Sequence, residues 1–225
     1  MKKVLLSLSL LLALGGFAQT GYEIKVTFKP FKNQYIYLGH YFGKTYPIID
    51  SAKLNEKSEA VFKGDRKLPG GIYLIGYPNK SGFFEMLVDK QQHFSVVADT
   101  ATLKNGPKFI NSSDNVLFTS YQQHMSVEGK KITAAQQQLK IASNKADSTK
   151  LMEELGKLDK QVAEYRAELI KKNPDNILSA LLITMKEPQL TGKLKEPKTK
   201  EDSLDAYNYY KDHFWDGVNF WDGRL

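Results

Sequence analysis

The chain contains no cysteine. Without a thiol there is no disulfide, no thiolate metal site and no cysteine nucleophile, so an exported form has to be held together by its core alone. At 225 residues and 41% hydrophobic content such a core is within reach. Arginine is nearly as scarce, with only Arg66, Arg166 and Arg224 among the 32 basic residues. The lysines are spread among Glu and Asp along the second half, and no Arg-rich cluster is interleaved with aromatics. The formal charge of +7 therefore reads as a solvated surface and not as a nucleic-acid footprint. The four histidines, His40, His93, His124 and His213, share no metal-ligand spacing. There is no H-E-x-x-H, no G-x-S-x-G and no Gly-rich phosphate loop, since Pro69-Gly70-Gly71 opens a strand and not a helix. No residue is assigned a catalytic, cofactor-binding or metal-ligating role.

What is present begins with an export signal. Lys2 and Lys3 supply a positive start, Val4 to Leu14 an apolar stretch too short to span a membrane, and Gly16-Phe17-Ala18 a small-x-small cleavage site. Residues 1–18 are expected to be removed, so that the mature chain starts at Gln19 with +5 of the formal +7 and without membrane insertion. No cysteine follows the cleavage site, which rules out a lipid anchor there.

Residues 19–104 read as an antiparallel β-sandwich-like domain. From Tyr22, the residues Tyr22, Ile24, Val26 and Phe28 alternate with Glu23, Lys25, Thr27 and Lys29, the period of a half-buried strand. A second strand over Gln34–Phe42 places Tyr35, Tyr37 and Tyr41 on one face and Ile36, Leu38 and Phe42 on the other. Further short runs at Tyr46–Leu54, Glu59–Lys63, Ile72–Tyr77, Phe83–Val88 and His93–Ala98 are separated by dense turn signals, and no amphipathic helix intervenes. About seven short strands at this spacing predict a sandwich or barrel and not a βαβ sheet. The tyrosine face has two readings. It can stack on a sugar or other ligand, or it can pack against cross-strand neighbours, as tyrosines in strands ordinarily do.

Near Asn105 the period changes, and residues 105–225 read as an α-helical domain, giving an α+β chain. Asn111-Ser112-Ser113-Asp114 offers N-caps for a run carrying Val116, Leu117, Tyr121 and Met125, and a second run carries Ile132, Ala135, Leu139 and Ala142. Leu151, Leu155, Leu158, Val162, Tyr165 and Leu169 then form a heptad stripe. An antiparallel pair with the preceding helix or a homodimeric coil would bury it. Asn173-Pro174 is expected to cap and open the next helix, a buried one over Ile177–Met185. A lysine- and proline-bearing loop follows to Lys200, then an aromatic helix to His213. The chain closes on a tandem Phe214-Trp215-Asp216-Gly217 and Phe220-Trp221-Asp222-Gly223. Trp215 and Trp221 so near the end are expected to need a packing partner beyond Leu225.

Glu153, Glu154, Glu164 and Glu168 sit among Lys and Arg and read as a solvated helix face. Asp216 and Asp222 could pair for acid–base work, but each sits in an Asp-Gly turn. A different pattern is Asp followed by Ser or Thr and a small or apolar residue. It occurs at Asp50-Ser51-Ala52, Asp99-Thr100-Ala101, Asp147-Ser148-Thr149 and Asp202-Ser203-Leu204. About one such match is expected from ordinary residue usage. This is similar to an O-glycosylation acceptor pattern of exported proteins in some Gram-negative bacteria, with Ser51, Thr100, Ser148 and Ser203 as acceptors. The same dipeptides also serve turns and helix caps.

One ordered set of motifs carries a family resemblance. Ile49-Asp50-Ser51-Ala52, Ala60-Val61-Phe62-Lys63-Gly64, Pro69-Gly70-Gly71-Ile72-Tyr73, Leu87-Val88-Asp89 and Phe94-Ser95-Val96 resemble the N-terminal β-domain of exported thioredoxin-like proteins of Bacteroidetes-type bacteria. Asn173-Pro174-Asp175 with Ala180-Leu181-Leu182, Tyr209-Tyr210-Lys211-Asp212-His213-Phe214 and Asp222-Gly223-Arg224-Leu225 resemble the helical linker domain that follows in the same proteins. The resemblance implies a periplasmic or cell-envelope location in a Gram-negative bacterium. It also implies a C-terminal thioredoxin-fold domain with a Cys-x-x-Cys pair, of which this chain carries nothing. The expected role is that of a non-catalytic accessory module that positions the redox domain or binds client proteins. The competing roles are a glycan- or envelope-ligand-binding module using Tyr35, Tyr37 and Tyr41 or Trp215 and Trp221, and a self-associating protein.

Overall fold

The computed structural model describes residues 21–225. The expected signal segment and Gln19 lie outside the described residues. Eight strands come first: β1 (Tyr22–Lys29), β2 (Tyr35–His40), β3 (Ile48–Lys53), β4 (Glu59–Gly64), β5 (Gly71–Gly76), β6 (Phe83–Val88), β7 (His93–Asp99) and β8 (Lys108–Ile110). Four α-helices follow: α1 (Ser113–Ile141), α2 (Lys145–Lys172), α3 (Ile177–Thr184) and α4 (Lys200–His213). The chain is thus α+β, with a β-domain followed by helices.

The strands form two four-stranded sheets, in the orders β4-β1-β7-β8 and β3-β2-β5-β6. All pairings are antiparallel except β1 with β7, which run parallel from Glu23/His93 to Lys29/Asp99. A purely antiparallel sandwich was the sequence expectation. The parallel pair arises because the first strand is central in its sheet, and β7 returns from the other sheet to lie beside it. The period-2 alternation of β1 sends Ile24, Val26 and Phe28 inward, where they meet Ile36 and Leu38 of β2, Phe62 of β4, Ile75 of β5, Met86 of β6 and Val96 of β7. Most of these side chains are removed from water, each contributing about 1.5–3 kcal/mol of burial. Phe28 sits edge-on to Phe31, Tyr77 and Phe84, the preferred geometry for aromatic pairs. The sandwich includes β8, so the chain leaves it after Ile110, past the change of pattern near Asn105.

The helices cover one end of the outer face of the second sheet. Ile72 and Leu87, the outward-facing pair of β5 and β6, pack with Phe118 and Tyr121 of α1, Leu169 of α2, and Ile177, Leu178 and Leu182 of α3. The two helical runs expected before Asn144 are one continuous helix, α1, although Gly129 lies in its middle. Packing against α2 carries it across a residue that costs about 1 kcal/mol in an isolated helix. Asn144 caps α2 by accepting from the Asp147 amide, and the heptad stripe is used within the chain: Leu158, Val162 and Leu169 are buried. Between α1 and α2 the Tyr121 and Tyr165 rings stack at 6.3 Å, and Arg166 Nε donates to the Tyr121 hydroxyl.

The cap expected at Asn173 is shifted. Asn173 closes α2, and Asn176 is the N-cap of α3, its Oδ1 accepting from the Leu178 amide at 2.8 Å. A tertiary contact selects the second asparagine, because Asn176 Nδ2 also donates to Asp114 at the start of α1. Among the described residues no helix is long and apolar enough to cross a membrane.

Candidate functional site

Two clusters of polar side chains lie along β6. At the C-terminal end of β6 is a junction. Arg224 Nη1 reaches Asp89 at 3.0 Å and the Asp175 carbonyl at 3.2 Å, while Nη2 and Nε hold Asp222 at 2.6 and 2.8 Å. The Arg224 stem lies over Gly70, where a Cβ would come within 2.6 Å of Arg224 Cγ, so the small residue there admits the tail. The guanidinium holds the Asp222 carboxyl below the usual carboxylate range. Burial, with Asp89 nearby, pushes the Asp114 carboxyl above it, against the lowering effect of the Asn176 hydrogen bond. This cluster ties the sandwich, α1, α3 and the C-terminal tail together, and each of its carboxylates is engaged by a partner of this chain.

The second place is a groove of about 280 Å³ along the free edge of β6. Its position follows from the strand register. The Tyr77 amide donates to the Gly82 carbonyl at the β5–β6 turn, so the strict alternation of an antiparallel ladder turns the backbone groups of Phe83, Glu85 and Leu87 away from β5. At Leu87 the edge is closed by a side chain. Asn115 of α1, fully buried, accepts from the Leu87 amide at 2.6 Å and donates to its carbonyl at 2.7 Å, and it also donates to Ser112 Oγ at 2.9 Å. One carboxamide thus does there what a neighbouring strand would do.

Beyond Leu87, α1 draws past the edge and leaves the groove. Its floor is Phe83, Phe84 and Glu85. One wall is the stretch Leu103 to Pro107, and the other is the α1 face bearing Thr119, Gln122, Gln123 and Ser126. With Asn115 these α1 residues form a polar stripe at helical spacing, aimed at a strand edge, while Phe118, Tyr121 and Met125 face the other helices. Gln122 Nε2 donates to Glu85 Oε2 at 2.8 Å, the Tyr41 hydroxyl donates to Glu85 Oε1, and Gln123 Nε2 donates to the Asn105 carbonyl. Burial and the Glu85 contact push the Tyr41 phenol well above its ordinary value, so it remains a donor at any physiological pH. Gly106, at φ +80°, carries the wall past α1 where a Cβ would strike Thr119 Cγ2 at 2.6 Å. Thr119 Oγ1 is inaccessible to solvent and has no hydrogen-bond partner.

The sequence-predicted aromatic residues separate into three groups. Tyr35 and Tyr37 lie on the outer face of the second sheet, with Ile36 and Leu38 in the core, as the alternation requires. Tyr35 is exposed, and Tyr37 lies under the Lys80 ammonium, 4.7 Å from the ring centroid. Tyr41 follows one residue past the strand end at His40 and stays on that outer face, where its hydroxyl reaches Glu85. It joins Tyr46 at 5.2 Å, and Tyr46 joins Phe83 at 5.4 Å, at the mouth of the groove. Phe42, expected to share the side of Ile36 and Leu38, is 71% exposed in the loop where Phe42 and Thr45 pair. Trp215 and Trp221 lie past α4. Trp215 packs edge-on to Phe214 and Phe220, and Trp221 is 96% exposed.

Of the glycosylation candidates, Ser51 and Thr100 are exposed, on edge strand β3 and on the turn after β7. Ser148 and Ser203 each stand in a first helical turn and donate to the carbonyl of the N-cap residue. Their aspartates serve the same caps, Asp202 completing a capping box with Thr199. Asp216 accepts from or shares a proton with His213 Nδ1 at 2.7 Å, and Asp222 is held by Arg224, so the two do not pair. Among the described residues no cluster of His, Asp and Glu has the geometry of a metal site.

The chain matches no protein-family model, no curated protein and no solved structure at a significant level. The resemblance to the N-terminal half of exported thioredoxin-like proteins accordingly rests on its motif set alone.

Proposed function

We propose that the chain is a non-catalytic accessory module of an exported thiol–disulfide oxidoreductase of the thioredoxin-like kind. In this reading it works in the bacterial periplasm or envelope, positions a redox domain supplied by a longer polypeptide and offers a surface for client proteins. The supporting observation is the order of parts: a cysteine-free β-sandwich followed by helices, which is the order the resemblance implies, with the Asp222-Gly223-Arg224 motif anchored at the junction of the two. Exchange chemistry needs a low-pKa thiolate, and this chain has none to give. Reading the frame past Leu225 tests the proposal. A thioredoxin-like domain with a Cys-x-x-Cys pair is expected; an in-frame stop directly after Leu225 removes the main support.

A glycan- or envelope-ligand-binding module is the second reading, favoured by the exposed Tyr41, Tyr46 and Phe83 rings beside the polar groove. Such rings stack on the apolar faces of sugars. Titration with peptidoglycan fragments, followed through the tyrosine resonances, tests it.

A further inference from the structure

We propose that the groove beside β6 takes an extended polypeptide segment, which adds to the second sheet as a fifth strand and turns its far edge to the polar stripe of α1. This deepens the client-binding part of the function above.

The ladder for such a strand is already begun. At Leu87 the Asn115 carboxamide makes both hydrogen bonds of a strand residue, so the edge there has the geometry to pair with an amide. The next outward-facing residues, Glu85 and Phe83, continue the same edge into the groove. They offer two more rungs over about 7 Å of extended chain. On the α1 wall Gln122 and Gln123 are each fixed by one amide nitrogen, which leaves their carbonyl oxygens for an incoming N–H. A strand added to β6 therefore pairs with Phe83 and Glu85 on one edge and shares the groove with the Gln122 and Gln123 carbonyl oxygens of α1.

Alternate side chains of that segment would meet Phe84 and Leu103 on the core side and the Phe83 and Tyr46 rings on the outer side, so the segment carries apolar residues at alternate positions. A saccharide fits less well. Glu85 spends both oxygens on Tyr41 and Gln122, and Gln123 is tied to Asn105, so apart from the Gln122 and Gln123 carbonyl oxygens these side chains are engaged with one another. The groups still to be paired are backbone amides and carbonyls of a strand edge.

The test uses random dodecapeptides displayed on phage and selected on the mature chain, the best binder being synthesised and titrated into ¹⁵N-labelled protein. The expected result is a Kd of about 100 μM or tighter. Shifts should centre on Phe83, Glu85 and Thr119, with hydrogen exchange at the Phe83 and Glu85 amides slowed at least about tenfold. N-methylation of alternate peptide amides should weaken binding by about tenfold or more, since it removes the ladder bonds and leaves the side chains. Ser126→Arg, at an exposed helix position on the groove mouth, should weaken it similarly while leaving the fold intact.

Four outcomes overturn the proposal. One is no binder below about 1 mM. A second is binding indifferent to N-methylation or to Ser126→Arg. A third is a peptidoglycan disaccharide moving these amides where no peptide does, and the fourth is protection of Phe83 and Glu85 by dimerisation of the chain alone. The frame beyond Leu225 decides the module assignment and this titration decides the groove, so either can fail without the other.

Discussion

Asn115 ties α1 to the sandwich through a fully buried polar contact. It is fully buried, with hydrogen bonds of 2.6 and 2.7 Å to the Leu87 backbone and 2.9 Å to Ser112 Oγ. Asn115→Ala leaves the Leu87 amide and carbonyl stranded beneath a helix. Each stranded buried group costs about 1–3 kcal/mol, and partial access of water relieves some of this, so the expected loss is about 2–4 kcal/mol. For a chain of this size that is about 5–15 °C in Tm. Asn115→Asp separates the parts of the effect. It keeps the acceptor for the Leu87 amide but loses both donors, and it sets a carboxylate against the Leu87 carbonyl. Burial raises the folded-state pKa of such an acid above its unfolded value near ~3.9, because the charged form is disfavoured. The folded state then binds the proton more tightly. The variant is closest to the parent below about pH 4 and loses stability as pH rises through the raised pKa. Urea unfolding at low and neutral pH, with hydrogen exchange at the Leu87 amide, measures both. A loss under about 0.5 kcal/mol in Asn115→Ala, with Leu87 exchange unchanged, would mean that the Asn115 carboxamide does not hold the Leu87 edge.

Three further outcomes follow from the same contacts. Arg224→Ala removes the tie between the tail and Asp89, Asp222 and Asp175, whose side-chain part is only 12–23% exposed. It should speed proteolysis after α4 and cost about 1–3 kcal/mol. Because Asp222 titrates below the ordinary range in the folded chain, the tie in the parent is complete above pH ~4 and is lost as pH falls through the lowered value, which proteolysis at graded acid pH will read. Leu158→Ala should destabilise the α1–α2 pair by about 2–3 kcal/mol without changing the molar mass in light scattering, since the stripe is buried within the chain. If the Asp-Ser/Thr pattern is a glycan acceptor, protein from the native envelope should carry its added mass on Ser51 and Thr100 before Ser148 and Ser203, whose hydroxyls are bonded to helix caps. A peptide map with the unmodified mass at all four positions removes that reading.

What was legible in the sequence is what local period controls. β1 could be read because one of its faces is wholly buried, so the alternation of Ile24, Val26 and Phe28 with charged residues is clean. The stripe of α2 was legible for the same reason at helical period. The errors lie where a distant partner decides. Asn173 and Asn176 are both able to cap a helix, and only the bond to Asp114, 62 residues away, selects the second. Val127, Glu128 and Gly129 interrupt the apolar period of α1, but packing against α2 carries the helix through.

The groove had the weakest signal of all. Thr119, Gln122, Gln123 and Ser126 resemble any solvated helix face until β6 is laid beside them. The one hint was that Asn115 heads the same stripe, four residues before Thr119.

If this cysteine-free chain serves a redox domain carried on the same polypeptide, the native protein holds thiols that these 225 residues lack. Counting thiols on the native protein tests it most directly. The protein is taken from the envelope fraction, reduced, alkylated and weighed intact. The expected species is a mature polypeptide that begins at Gln19, extends beyond Leu225 and takes up at least two alkyl groups. A native species with the mass of residues 19–225 and no alkylation would contradict it.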